Sequence, residues 1–287
     1  MKFAWDAIFG TLVDILKPKR LVEVGAFYGH GTRRILEYCR EADAVLQTLD
    51  PLSPDPAEAR GQQEVFDGLV REFPGRLTFH RECSLPLLDR IGPYDAILID
   101  GDHNWYTVIE ELRSVERMAL THGVVPLIVL DDIGWPHGRR DCYYVPERIP
   151  EAFRHRHRRA GIAPGQSALV DPGGYFQYFQ HAEHEGGPRN GVRTAVEDFL
   201  KETSLALVCR QIPLRSGTAV LVPRDDTPAG APVRLWLDAW SFPESQVDAL
   251  WQLSADYIAL NNISDPLIKE VNELHRILAR ARAAGFA

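Results

Sequence analysis

An apolar run that leads into a glycine-rich loop, at residues 20–32, constrains the fold more than any other stretch. The apolar part predicts a buried strand of a parallel sheet, and Gly25, Gly29 and Gly31 allow a tight turn in which backbone approaches a ligand. Residues 32–39 then predict a helix whose N-terminus, with its free N–H groups, faces the turn. The stretch therefore predicts a strand, a turn and a helix, with a cofactor held at the turn.

The spacing of the glycines indicates the kind of cofactor. It is Gly-x-x-x-Gly-x-Gly instead of the Gly-x-Gly-x-x-Gly of dinucleotide-binding folds, and Phe27 and Tyr28 stand where a pyrophosphate needs small residues. This disfavours NAD and favours a nucleoside without phosphate. On this stretch alone, a merely structural strand-turn-helix remains an open alternative.

Strand and helix patterns alternate along the chain. Buried strands are predicted to begin near residues 21, 45, 77, 96 and 125. Residues 62–73 and 106–120 predict helices between them, whereas residues 52–60, rich in Pro, Ser and Asp, predict a surface loop. Two later apolar segments, 205–212 and 218–222, predict an antiparallel pair. We therefore expect an α/β fold, a Rossmann-like, doubly wound seven-stranded sheet that is mostly parallel, with helices on both faces and a reversed last hairpin.

Three further regions complete the predicted organisation. The main domain is expected at residues 1–226, beginning with a helix whose apolar positions include Phe3 and Ala4. Within the domain, residues 133–188 form a long, irregular insertion after a core strand, which favours a substrate-binding cover over a linker. A C-terminal helical extension is expected at 227–287, with an apolar stripe at its end that predicts packing or a homo-oligomer contact.

The insertion is rich in aromatic residues. Trp135, Tyr143 and Tyr144 line an apolar or sugar-like pocket, or else they attach the insertion to the domain, and the sequence leaves both readings open. The dense basic run from Arg154 to Arg159 is interpreted as a solvated surface, with a clamp for an anionic substrate as the alternative.

Acidic residues follow the predicted strands where parallel strands place ligands. Asp50 ends the second strand, at the position that bonds ribose hydroxyls in nucleoside-binding α/β folds, although a turn-forming Asp-Pro would look the same. Ser84, after the third strand, lies where an adenine could be bracketed. The fourth strand delivers Asp100 and His103 to the same edge.

The fifth predicted strand ends in Asp131 and Asp132, two adjacent carboxylates whose repulsion a cation would relieve. Together with Asp100 they supply hard oxygen ligands suited to Mg²⁺, Mn²⁺ or Ca²⁺ rather than a thiolate-rich zinc site. The alternative is that one aspartate caps a helix and the other faces water.

Composition excludes several classes of protein. The net charge of −8 makes nucleic acid an unsuitable principal partner. No apolar stretch reaches ~18 residues and no signal peptide is evident, so we expect no membrane partner. The four scattered cysteines fit reduced thiols in a cytoplasmic protein.

The succession of motifs resembles a known family. The stretches that carry it are residues 22–29, Asp50-Pro51, 99–103, Asp131-Asp132 and 191–199. They resemble the class I methyltransferases that use S-adenosylmethionine. Within that group the chain is similar to the metal-dependent O-methyltransferases of antibiotic sugar pathways, the macrocin and mycinamicin type, which share features with cephalosporin hydroxylase-like proteins and catechol O-methyltransferase. The resemblance spans about residues 20–223 without the insertion, and Val124 stands where a second glycine is common.

The resemblance implies a role for each site residue. The implied cofactor-binding residues are Glu23, Gly25, Ala26, Tyr28, Gly29, Asp50, Ser84 and Asp100. Asp100, Asp131 and Asp132 would bind Mg²⁺ or another divalent cation. His103 would be the general base, since an imidazole has a pKa close to working pH.

The implied function is a divalent-metal-dependent O-methyltransferase that acts on a hydroxyl of a small molecule, a sugar or other secondary metabolite, in natural product biosynthesis. Two alternatives remain from the sequence. One is a metal-binding, hydroxylase-like relative, and the other is a non-catalytic protein that binds S-adenosylmethionine.

Overall fold

The computed structural model describes residues 8–226, 230–243 and 245–261. In these ranges the strands are β1 (Arg20–Val24), β2 (Val45–Leu49), β3 (Leu77–His80), β4 (Ala96–Ile99), β5 (Leu127–Leu130), β6 (Cys142–Tyr143), β7 (His157–Arg159), β8 (Gln180–Ala182), β9 (Leu207–Ile212) and β10 (Thr218–Pro223). The helices are α1 (Gly10–Leu16), α2 (His30–Ala42), α3 (Pro56–Glu72), α4 (Ser84–Leu87), α5 (Trp105–His122), α6 (Val192–Glu202), α7 (Ala231–Ala239) and α8 (245–261).

Seven of the strands form one sheet in the order β3-β2-β1-β4-β5-β10-β9. β1 to β5 are parallel to one another, and β10 runs antiparallel to both β5 and β9. This confirms the predicted doubly wound sheet with a reversed last hairpin. Because β1 and β4 are neighbours at its centre, the loops that follow them meet at one edge of the sheet.

The two faces of the sheet carry separate apolar clusters. Successive residues of a strand point to opposite faces, so Leu21 packs with the α1, α2 and α3 side, while Val22 packs with α5 and α6. Phe66 of α3 and Phe199 of α6 are fully buried in the two clusters. Both faces of the sheet are therefore covered, as expected for a parallel sheet.

The predicted loop at residues 52–60 is wrong in its second half. Helix α3 begins at Pro56, six residues before the predicted start, because Asp55 caps it by accepting hydrogen bonds from Ala57 N and Glu58 N. Proline is well tolerated in the first turn, where its missing N–H has no partner to lose. The pair Asp55-Pro56 therefore marks the start of a helix.

The insertion at 133–188 contains more regular structure than the prediction of an irregular segment allowed. Its strands form a three-stranded antiparallel sheet in the order β6-β8-β7. Three isolated bridges, among them Gly161–Val170, extend the pairing. In the basic run, Arg158 forms an ion pair with Asp171 at an exposed position, which favours the solvated-surface reading.

Two buried charged residues, Asp141 and Arg140, attach the insertion to the main domain and hold it together internally. Asp141 Oδ1 accepts hydrogen bonds from Trp105 N and Gly191 N, both at 2.7 Å, and its Oδ2 accepts one from Tyr143 Oη at 2.8 Å. Arg140 donates to the backbone oxygens of the insertion, at residues Gln166, Ser167 and Ala182. The insertion is therefore held against the starts of α5 and α6.

The C-terminal residues pack on the same body. Trp236 and Leu237 of α7 join the apolar cluster of α1, and Ala255 and Ala259 of α8 contact Trp135 in the insertion. The helix predicted at 266–284 and the positions Phe3 and Ala4 lie outside the described residues. The predicted domain boundaries remain predictions.

No helix within the described ranges combines the length and the apolar character needed to cross a bilayer.

Candidate active site

The loop after β1 is packed tightly against the end of β4. Gly25 has φ of +79°, and a Cβ at this position would lie 2.1 Å from the backbone oxygen of Asp100. Glycine is therefore required by the contact between two loops, in addition to any contact with a cofactor. A branched residue at position 25 would displace the end of β4 before it met a ligand.

Asp50 fastens this loop from the side of β2. Its Oδ2 accepts hydrogen bonds from Ala26 N at 2.8 Å and Phe27 N at 2.9 Å, and its Oδ1 accepts one from Leu52 N at 2.7 Å. The carboxylate lies at the predicted edge, next to the glycine loop. Three of its lone-pair positions are used to shape the loop, which leaves little capacity for ribose hydroxyls.

Glu23 lies beneath the loop and is fully buried. Its Oε2 accepts hydrogen bonds from Thr32 Oγ1 at 2.7 Å and Thr48 Oγ1 at 3.1 Å, while Oε1 is buried and has no hydrogen-bond partner in the described part of the chain. Burial raises the pKa of Glu23 to about 8, against the opposing effect of the two threonine hydroxyls. Oε1 is the atom that remains for a polar group of a ligand.

The other predicted cofactor residues lie around the same edge. Ala26 is buried, Tyr28 is half-buried and in edge-to-face contact with Phe27, and Gly29 caps α2 with φ of +68°. Ser84 is buried at the start of α4. The loop and the helix N-terminus thus have the expected arrangement, and the individual cofactor contacts remain predictions.

A group of acidic and imidazole side chains lies beside the loop, at the ends of β4 and β5. His103 Nε2 is 2.8 Å from Asp132 Oδ2 and 3.7 Å from Asp100 Oδ1. One ligand atom from each of the three residues lies within 4.8 Å of the others. Two carboxylates and an imidazole at this separation fit the donor set of a divalent cation.

Asp131 is turned away from this group. Its Oδ1 accepts hydrogen bonds from Ser216 Oγ and Thr218 Oγ1, both at 3.3 Å, on the side of β10. Asp132 has φ of +61°, a left-handed conformation that sends the two adjacent side chains in different directions. Of the three predicted metal ligands, the structure therefore groups two, and it adds His103.

The pKa values of the site reflect this arrangement. Burial raises the pKa of Asp131 to about 7, with the neighbouring carboxylates of Asp100 and Asp132 acting in the same direction. Burial would also raise the pKa of Asp132, but His103 lowers it well below its usual range. Burial lowers the pKa of His103, and the neighbouring Tyr144, Asp132 and Asp100 outweigh it, so that the net shift is upward.

Tyr144 orients the imidazole of His103. Its hydroxyl lies 2.9 Å from Nδ1, and the two rings are in edge-to-face contact at 5.7 Å between centroids. Nε2 of His103 lies 2.8 Å from Asp132 Oδ2 and has no partner with good hydrogen-bond geometry among the described residues. An imidazole held at one nitrogen, with the other nitrogen beside a carboxylate, can take part in proton transfer.

The three aromatic residues singled out in the insertion have different surroundings. Trp135 is buried in an apolar cluster, and Tyr143 is buried with its hydroxyl on Asp141. Only Tyr144 is exposed, at 43%. Two of the three therefore attach the insertion, and one is available to contact an acceptor.

Sequence reasoning missed a second group of potential ligands, namely His137, Cys142 and His181. All three are buried, and their ligand atoms lie within 4.8 Å of one another. Their positions form no recognisable metal-binding spacing, because His181 reaches the other two only through the pairing of β8 with β6. The ring of His137 stacks on that of His103, with 4.6 Å between centroids.

A comparison with known protein families identifies the kind of domain in which the site lies. Residues 22–133 match the family model described as a methyltransferase domain. The matched segment runs from β1 to the residue after Asp132, so it contains the glycine loop and both strand ends that carry the acidic group. The match agrees with the predicted methyltransferase domain over this segment.

Solved structures give more distant likenesses. The SAH-bound methyltransferase PaMTH1 of Podospora anserina is 17% identical over 75% of this chain and 76% of its own, with a TM-score of 0.45. Cofactor-bound Rv0187 from MTB is 14% identical over 75% of this chain and 78% of its own, with a TM-score of 0.44. No curated protein matches the chain.

Proposed function

We propose that the protein transfers a methyl group from S-adenosylmethionine to a hydroxyl oxygen of a small molecule, with the help of a divalent cation. The observation that carries the proposal is the acidic group of Asp100, His103 and Asp132 beside the glycine loop of a methyltransferase domain. A methyltransferase domain that only bound its cofactor would have no use for two partly buried, neighbouring carboxylates, whose mutual repulsion is costly without a cation.

The glycine loop and the N-terminus of α2 fit the cofactor. Gly25 lets the loop approach the end of β4, and Asp50 fixes the amides of Ala26 and Phe27. The buried Oε1 of Glu23 has no partner and can accept a hydrogen bond from an ammonium or hydroxyl group. When bound, S-adenosylmethionine supplies an electrophilic methyl group on a sulfonium.

The carboxylates of Asp100 and Asp132 fit a hard divalent cation, with Mg²⁺ as the first candidate. Such a cation supplies positive charge next to the acceptor oxygen and so favours its deprotonation. Asp131, predicted as a third ligand, accepts hydrogen bonds on the side of β10 and is not needed for this binding.

His103 has the position of a general base. To accept the acceptor's proton at Nε2, its ring must carry a hydrogen at Nδ1, and this hydrogen is donated to the hydroxyl oxygen of Tyr144. The carboxylate of Asp132, 2.8 Å from Nε2, supports this role because it stabilises the imidazolium that forms when the ring takes up the proton. The same nitrogen would instead serve as a third ligand if the cation lay between His103 and Asp132, and a substitution distinguishes the two uses.

We further propose that the acceptor is a sugar or another secondary metabolite and that the enzyme takes part in natural product biosynthesis. The exposed ring of Tyr144, presented by the insertion beside His103, supports a cover over a small ring-shaped acceptor.

The composition of the chain bears on its partners and location. The net charge of −8 disfavours nucleic acid as a partner. The four cysteines are unpaired, which supports a reducing, cytoplasmic location, and association through the C-terminal helices remains part of the proposal.

Calorimetric titration of the full chain tests the cofactor, and mass spectrometry tests the reaction. We expect S-adenosylmethionine to bind with or without Mg²⁺, and we expect acceptors from a panel of glycosylated and phenolic compounds to gain the mass of one methylene unit only with Mg²⁺. Binding of the cofactor without any transfer across the panel would favour the non-catalytic alternative. Binding of the cation with no binding of S-adenosylmethionine would favour the hydroxylase-like one.

A further inference from the structure

The insertion contains a group of potential ligands that the proposed reaction does not use. His137 comes from the loop after β5, Cys142 from β6 and His181 from β8. All three are buried, and one ligand atom from each lies within 4.8 Å of the other two. Softer donors are present here than in the acidic group of Asp100 and Asp132.

The small sheet of the insertion builds this group. Cys142 and His181 are directly opposite each other in the antiparallel pair of β6 and β8, so their side chains lie on the same face. The ring of His137 lies nearly parallel to that of His181, with centroids 6.2 Å apart and an interplanar angle of 20°. Three side chains that are far apart in the sequence therefore converge from three segments.

The two imidazoles each bury an unused nitrogen. Nδ1 of His137 and Nδ1 of His181 have no hydrogen-bond partner among the described residues. A buried polar atom without a partner is unfavourable, so two in one place point to a group that both of them bind.

The tautomer of His181 supports a bound cation. Its Nε2 lies 3.0 Å from the backbone oxygen of Phe176, and a carbonyl oxygen can only accept, so Nε2 carries the hydrogen. Nδ1 of the neutral ring then has its lone pair free. A hydrogen bond from one ring nitrogen to a backbone oxygen, with the other nitrogen on the metal, is the usual arrangement of a histidine ligand.

We propose that His137, Cys142 and His181 bind a divalent transition-metal cation of the softness of Zn²⁺. One thiolate and two imidazoles suit Zn²⁺, whereas Mg²⁺ requires oxygen ligands. The thiol of Cys142 releases its proton to solvent as the sulfur binds the cation. Three protein ligands leave one tetrahedral position for water or another ligand.

The cation would tie three segments of the insertion together. Cys142 lies two residues before Tyr144, whose hydroxyl contacts His103, and His137 stacks on His103 directly. Binding would therefore fix the insertion where it covers the acidic group. The site is distinct from that group, because it has different donors and different residues.

Titration of the full-length chain with Co²⁺, in the presence of excess Mg²⁺, tests the site. Co²⁺ bound to a thiolate gives a sulfur-to-cobalt charge-transfer band in the near ultraviolet, and oxygen ligands give none. We expect this band in the parent at one equivalent of Co²⁺. It should disappear in Cys142→Ala and remain in the matched control Cys209→Ala, whose cysteine lies on β9.

The result that overturns the proposal is a parent chain without the band, or a Cys142→Ala variant with a band of parental strength. The parent measurement needs no variant to fold. His181→Gln keeps the thiol, and we expect it to lower the apparent Co²⁺ affinity by more than roughly 10-fold, since losing even an outer partner of a ligand costs that much. Unchanged affinity in a folded His181→Gln variant would also overturn it. None of these readouts depends on methyl transfer.

Discussion

Asp131 and Asp132 are adjacent carboxylates with different surroundings. Asp132 contacts His103, while Asp131 accepts hydrogen bonds from Ser216 and Thr218, which belong to the antiparallel hairpin of β9 and β10. The left-handed φ of Asp132 separates them. The pair therefore offers a matched test in which the same substitution is made one residue apart.

Asp132→Asn should weaken binding of Mn²⁺, used as a calorimetric substitute for Mg²⁺, by more than roughly 10-fold, and Asp131→Asn should change it much less. The reason is that only Asp132 presents an oxygen to the group around His103. Binding of S-adenosylmethionine without metal should be retained in both variants. Equal losses of Mn²⁺ affinity would mean that Asp131 shares the cation, as the sequence predicted.

His103→Ala should retain both S-adenosylmethionine and Mn²⁺ and lose about 10²-fold to 10⁴-fold in kcat, the usual contribution of a positioned general base. The measurement is the rate of methyl transfer to an acceptor found in the mass screen, together with calorimetry of the variant. Tyr144→Phe, which keeps the ring but removes the hydroxyl at Nδ1, should cause a smaller loss. A His103→Ala variant that no longer binds Mn²⁺ would show that the imidazole is a ligand.

At the scale of the helix, α5 carries a buried carboxyl group whose charge is unfavourable. Glu111 is fully buried, and neither of its carboxyl oxygens has a hydrogen bond of good geometry to a described residue. Burial raises its pKa from 4.5 to about 8, against the opposing effect of the Ser84 hydroxyl. The folded protein thus holds a proton here that the unfolded chain releases at a lower pH.

Because the pKa is higher in the folded state, the stabilisation from neutral Glu111 is complete below about pH 4.5 and is lost as pH rises to about 8. Glu111→Gln should therefore become more stable relative to the parent between these pH values. Urea unfolding across that range is the measurement, and Glu110→Gln, a more exposed change on the same helix, is the control. Parallel pH profiles for Glu111→Gln and the parent would contradict the expectation.

The elements show what a sequence can and cannot predict. Apolar periodicity identified β1 to β5 because a buried strand must be apolar on both faces, and the strand ends that carry Asp50 and Asp100 followed from it. The direction of Asp131 could not be predicted, since it depends on one backbone dihedral of the next residue. Composition at 52–60 resembled a loop because a capping aspartate and a first-turn proline are also loop residues.

The ligand group of the insertion could not be predicted for a different reason. Its members are brought together by pairing between short strands, and strands of two or three residues leave no periodic signal. His137, Cys142 and His181 are close only after β6 and β8 are aligned. Pairing between distant segments depends on the fold and leaves no pattern in the local sequence.

On the scale of the whole molecule, Asp141 joins the insertion to two helices of the main domain. It is fully buried and accepts hydrogen bonds from Trp105 N, Gly191 N and the hydroxyl of Tyr143. Its carboxylate therefore connects the start of α5, the start of α6 and the strand β6.

Asp141→Ala should lower the free energy of unfolding by roughly 2–4 kcal/mol, because the buried amides of Trp105 and Gly191 and the O–H of Tyr143 all lose their acceptor. Chemical denaturation measures this loss, and limited proteolysis should cut the insertion first. Asp171→Ala removes an exposed ion pair with Arg158 in the same insertion and should cost less than about 1 kcal/mol. Similar losses of unfolding free energy in the two variants would mean that Asp141 does not attach the insertion.

Arg140 gives the insertion a freedom to diverge. It is 1% exposed, and its hydrogen-bond partners are backbone oxygens, at Gln166, Ser167 and Ala182. Every amino acid has such an oxygen, so the exposed side chains of Gln166 and Ser167 can change while the path of the chain is kept. Point substitutions in evolution can therefore change the surface of the insertion to suit new acceptors, while its backbone is conserved.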